Sequence, residues 1–158
     1  MYKSYLNRKD LPRGLRNNNP GNLIKTNETW LGKVPHANNP DTRFEQFIEL
    51  RYGIRAKFRD IITDINKGKN TITSLIHEFA PPFENNTASY IATVVKLTGI
   101  SALSKIELTQ ETLISLAKAI SYVENGSDFT KYVTDKDYQD AMDILGINLP
   151  KKKVKYQR

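Results

Sequence analysis

Residues 11 to 44 are crowded with asparagine, glycine and proline, with seven asparagines between Asn17 and Asn39. That density commits the segment to turns, because Asn tolerates left-handed backbone angles and bonds its own main chain, while Gly and Pro interrupt regular elements. A loop or small hairpin lobe is predicted. Thr42 to Phe47 alternates only loosely through Phe44 and Phe47, enough for one short strand. Within the lobe, Arg16-Asn17-Asn18-Asn19-Pro20-Gly21-Asn22 is a polar run. Its amides can line a cleft, and Pro20-Gly21 supplies a tight turn with outward N–H groups.

The remainder reads as helix. Leu50, Ile54, Phe58, Ile61, Ile62 and Ile65 recur at three and four within 48–66, and Gly68 supplies a stop. Thr73 to Phe79 is a short helix ended by Pro81-Pro82. Asn86 or Thr87 caps a helix through Tyr90, Ile91, Val94 and Val95 to Gly99. Thr109 caps the next, whose Leu113, Leu116, Ala117, Ile120 and Val123 share a face before Gly126. Thr134 and Asp137 form a capping-box pattern ahead of Ala141, Ile144 and Gly146. The expected fold is mainly α, about five helices with a small polar N-terminal lobe. An N-terminal arm over 1–12, one domain over 13–149 and a basic tail over 150–158 complete the expected organisation.

A chain of 158 residues buries one core and not two independent ones. No apolar run approaches the roughly 20 residues of a membrane helix, and Met1 to Asp10 lacks the apolar centre of a secretory signal. Synthesis in a cytoplasm is therefore expected, with no membrane span. The absence of cysteine excludes disulfides, thiolate zinc sites and a Cys nucleophile. His36 and His77, far apart, make a poor metal set, so neither metal nor cofactor is expected. A net charge of +7 with a lysine-rich end favours polyanions such as nucleic acid or cell-wall polymer.

Val123-Glu124-Asn125-Gly126-Ser127 puts one carboxylate where an amphipathic helix stops. The helix dipole disfavours negative charge there, and with partial burial it raises the carboxyl pKa, the property a general acid needs. An exposed Glu near a helix end has the same pattern. The lobe's asparagines donate and accept together, which matches sugar hydroxyl and acetamido groups; they also serve as simple turn formers. Trp30, the sole tryptophan, is either a sugar-stacking platform or the lobe's core.

The run Arg13-Gly14-Leu15-Arg16-Asn17-Asn18-Asn19-Pro20-Gly21-Asn22-Leu23, with Trp30-Leu31-Gly32, Asp41, Phe44, Phe47, Gly53-Ile54-Arg55-Ala56, Ala80-Pro81-Pro82 and Glu84-Asn85-Asn86-Thr87, resembles a phage-encoded family called structural protein P5-like. That family is similar to the lysozyme-like superfamily, and the match spans about residues 13 to 130. Glu124-Asn125-Gly126 also resembles the Glu-Ser-Gly segment of lytic transglycosylases, with Asn125 in place of Ser. Glu84 to Val94 is similar to their later Glu-Thr-x-x-Tyr-Val helix, and the Asn-Pro-Gly-Asn stretch resembles a segment of bacterial glucosaminidases. Because the order of these segments is rotated, the resemblance implies a circularly permuted, lysozyme-like α+β domain.

The same resemblance implies a peptidoglycan-cleaving enzyme, a muramidase or lytic transglycosylase. Glu124 is then the general acid, Glu84 an orienting or alternative acid, and Asp41 or Glu49 a second carboxylate. Asn17, Asn18, Asn19, Asn22, Trp30, Tyr90 and Asn125 are the expected substrate-binding residues. Bacterial peptidoglycan is the expected partner, with other virion proteins, and nucleic acid is disfavoured. Such a protein is expected in the virion or released to the cell wall. The competing reading is a non-catalytic virion structural or glycan-binding protein that keeps the fold.

Overall fold

The computed structural model describes residues 1–82 and 86–153. Among these the protein is mainly helical, with α1 (Arg13–Arg16), α2 (Leu50–Asn66), α3 (Ile72–Phe79), α4 (Thr87–Thr98), α5 (Gln110–Asn125) and α6 (Asp135–Asp143). Single 3-10 turns cover His36–Asn38 and Ser127–Lys131.

The helix boundaries follow the capping chemistry. Asn86 accepts the Ser89 N–H at 3.2 Å to start α4, and Gly99, at φ +72°, ends it. The Thr109 hydroxyl accepts the Thr112 N–H at 3.0 Å ahead of α5. Thr134 and Asp137 form the expected capping box of α6. A second capping box, Thr71 with Ser74, starts α3 one residue earlier than its apolar pattern predicts. The very short α1 lies in a segment expected to be loop.

The loosely alternating segment 42–47 does not build a ladder. It contributes two isolated antiparallel bridges, Ile24 with Phe44 and Lys33 with Phe47. Each pins the N-terminal lobe at one point.

The chain divides into two compact units, the first made of Met1–Arg59 and Ile120–Gly146, the second of Asp60–Ala119 and Ile147–Arg158. The division falls within α2 and α5. In the first unit Leu15, Phe47, Leu50, Ile54, Phe58 and Tyr138 are fully buried. Its first dozen residues are tied down: the Leu50 N–H donates to the Lys3 carbonyl at 2.9 Å, Lys3 Nζ pairs with Asp137 at 2.8 Å, and the Tyr5 hydroxyl donates to the Tyr132 carbonyl at 2.8 Å.

In the second unit α3 packs on α4, and the Thr87 hydroxyl donates to the Ala80 carbonyl at 2.6 Å. The Gln110 and Glu111 N–H groups, which α5 itself leaves unbonded, donate to the carbonyls of Pro150 and Lys151 at 2.9 and 3.1 Å. The start of the basic tail therefore caps a helix. Among the described residues no helix is long and apolar enough to cross a membrane.

Candidate active site

The first unit brings the end of α5 against the asparagine-rich loop, and α2 determines how closely. Gly53 permits contact with the loop backbone, and Gly21 permits contact with the Lys57 side chain. A Cβ on Gly53 would overlap the Asn18 carbonyl oxygen, and one on Gly21 would stand 2.6 Å from Lys57 Cδ. Gly53 and Lys57 are four residues apart, hence on one face of α2. The loop lies along that face.

Asn17, Asn18 and Asn19 are at most 1% exposed. Asn17 donates to Asp41 at 2.9 Å and accepts from Gln46 at 2.9 Å. Asn18 donates to the Phe47 carbonyl at 2.8 Å and accepts the Tyr5 N–H at 2.8 Å. Asn19 bonds the Leu23 and Glu45 carbonyls, each at 3.0 Å, and accepts the Leu23 N–H at 2.9 Å. Their amides thus replace missing secondary structure in the lobe, and the structure places them behind its surface. Asn22, in the left-handed region at φ +51°, is the one that reaches the end of α5.

Two consecutive residues meet the loop there. Asn125 donates to the Pro20 carbonyl at 2.7 Å and to the Ser121 carbonyl at 2.9 Å. Its Oδ1, buried without a hydrogen-bond donor, lies against Gly14, as does the Asn22 Oδ1. A side chain on Gly14 would displace both.

Beside it, the Glu124 carboxyl is hydrogen-bonded by Asn22 and feels the charges of Lys57 and Arg43. Glu124 is exposed as a residue, yet the protein atoms around its carboxyl desolvate the charged form. Burial pushes its pKa up; Lys57, Asn22 and Arg43 oppose the shift without cancelling it. The result is a carboxyl, on an exposed residue, that holds its proton more tightly than usual. Its conjugate base nevertheless has cations and an amide in place.

The other expected residues occupy different settings. Asp41 accepts two bonds from the Arg13 guanidinium at 2.7 and 2.8 Å, one from Asn17, and the N–H groups of Arg43 and Phe44 at 2.8 Å each. The Arg13 guanidinium foremost, joined by these other donors, holds its carboxyl far below the usual range. Glu49 pairs with Arg51 at 3.2 Å. Trp30 is partly buried and packs with Tyr52 against Leu23, Phe47 and Ala56. Tyr90 is buried in the second unit, and Glu84 lies outside the described residues. His36 bonds the fully buried Glu45 at 2.7 Å, and Lys33 pairs with the same carboxylate at 3.0 Å. No cluster of three or more His, Asp or Glu with metal-binding geometry occurs among the described residues.

Sequence reasoning did not assign roles to Lys57, Arg43 or Gly14. Lys57 did carry a signal: it stands three residues after Ile54 and four before Ile61, on the edge of an apolar face. A lysine 4% exposed at such a place is held there by charge.

The site therefore consists of a carboxyl of raised pKa, on an exposed residue, set against an asparagine loop in a mainly helical protein. Over 132 residues, 81% of this chain and 79% of the other, the sequence is 36% identical to Protein P5 of Pseudoalteromonas phage PM2. The chain belongs to this family of phage proteins. No protein-family model matches the sequence.

Proposed function

We propose that this phage protein cleaves the glycan strand of bacterial peptidoglycan, with Glu124 as general acid on a circularly permuted lysozyme-like fold. The observation that supports the reading is the Glu124 carboxyl itself: raised in pKa by burial, carried on an exposed residue, and hydrogen-bonded by Asn22.

In this reading the protonated carboxyl donates to the bridging oxygen between N-acetylmuramic acid and N-acetylglucosamine while positive charge grows at the sugar carbon. Lys57, Arg43 and Asn22 stabilise the carboxylate left behind, which then takes a proton from the attacking hydroxyl. Asp41 organises the loop through Arg13 and Asn17 and is not assigned as a nucleophile. With its oxygens engaged, attack by the substrate's own hydroxyl, giving an anhydro sugar, is favoured over the paired-carboxylate route, which needs a second free carboxylate within roughly 5–10 Å.

The test is mass spectrometry of purified peptidoglycan after incubation with wild type and Glu124→Gln. Anhydro-muramyl products from wild type alone support the lytic transglycosylase reading, and new reducing ends support hydrolysis. Glycan binding without either product would replace the enzyme by a virion binding protein.

A further inference from the structure

We infer that the first unit carries a second binding site, distinct from the surroundings of Glu124, that takes the free carboxylate end of a short peptide. A cavity of about 500 Å³, open on one side, is bounded by Lys9, Arg16, Asn7, Asn17, Asp41 and Gln46. That volume accommodates a few amino-acid residues.

The charges of its wall do not cancel. Asp41 is balanced by the two bonds from Arg13. Arg16 donates to the Leu11 carbonyl at 3.2 Å, and neither Arg16 nor Lys9 has a carboxylate partner among the described residues. Two cations at one opening select an anion, and a guanidinium matches the flat two-oxygen edge of a carboxylate.

The polar groups between them are arranged by one residue. Gln46, 2% exposed, donates from Nε2 to Asn7 Oδ1 at 3.0 Å and to Asn17 Oδ1 at 2.9 Å. This fixes both asparagines with their oxygens turned toward Gln46 and makes the wall rigid before any ligand arrives. Asn7 is itself in the left-handed region, at φ +63°, and its N–H donates to the Arg16 carbonyl at 2.8 Å. The segment bearing Lys9 and the segment bearing Arg16 are thus held together by backbone and side chain. A peptide terminus supplies what this wall lacks, a carboxylate for Lys9 and Arg16 and an amide N–H for Gln46, whose Oε1 is buried without a hydrogen-bond donor.

Isothermal titration with the full chain tests the site, using a short acidic peptide, the same peptide with an amidated C-terminus, and inorganic phosphate. Saturable binding of the acid form is expected, with loss on amidation. Lys9→Glu, at an exposed side chain, is expected to weaken it about tenfold or more, while Glu124→Gln leaves it unchanged. Absence of saturable binding, equal binding of the amidated peptide, phosphate bound as tightly as the peptide, or insensitivity to Lys9→Glu would each overturn the inference. Because Glu124→Gln is included, failure here is distinguishable from failure of the glycan-cleaving reading.

Discussion

Asn125 and Pro20, 105 residues apart in the chain, are joined by a 2.7 Å hydrogen bond from the Asn125 amide to the Pro20 carbonyl. This bond, together with a second one to the Ser121 carbonyl within α5, holds the residue that follows Glu124 against the loop. The residue that resembles a transglycosylase serine by position is, in this protein, a clamp.

Asn125→Ala removes both donor bonds and is expected to cost about 1–2 kcal/mol of stability. Asn125→Asp is expected to cost more, because it sets a carboxylate against the Pro20 carbonyl. Urea unfolding of both variants checks the order. On the proposed function, peptidoglycan cleavage measured where both remain folded should fall further than stability predicts, since the bond is made by the residue next to Glu124.

Glu124→Gln is expected to stabilise the protein at neutral pH. A carboxyl whose folded pKa is raised binds its proton more tightly in the folded state, so stability falls as pH climbs through the ordinary value of 4.5 toward the folded one. Glutamine mimics the protonated form and is free of this loss. Melting temperatures of the two proteins should therefore converge below pH 4.5 and separate above it. A gap that does not change with pH would remove the evidence for a perturbed carboxyl.

Asp41→Asn should act with the opposite pH sense. Its folded pKa is depressed, so its contribution is present above the ordinary value of 3.8 and fades as pH falls toward the folded one. With Arg13 partly open to solvent, the penalty is expected near 2–3 kcal/mol at neutral pH, below that of a fully buried pair. Chemical denaturation across that range measures it.

Four of the five longer helices were legible because an apolar period is coupled to a capping or stop residue, as Asn86 with Gly99 and Thr134 with Asp137 show, whereas α3 was read from its apolar residues and Pro81-Pro82 and its Thr71 cap was missed. Local chemistry decides such elements. The asparagine run was legible as turn but not in its use: whether Asn18 faces a cleft or the Phe47 carbonyl depends on α2 lying against it, a contact between distant segments. The same holds for Lys57, whose value comes from Glu124 at the far end of the chain. Gly53 was the readable hint, since glycine inside a helix costs roughly 0.5–1 kcal/mol relative to alanine and points to a backbone approaching closely.

The first unit is built from Met1–Arg59 and Ile120–Gly146, two stretches separated by sixty residues of the other. During synthesis the asparagine loop therefore emerges from the ribosome long before its counterpart. A truncated or stalled product ending anywhere ahead of Glu124 has the loop without that carboxyl. The pairing of Asn22 with Glu124 comes into being only after both stretches have been made, so the sixty intervening residues must be synthesised before the first unit can close on itself.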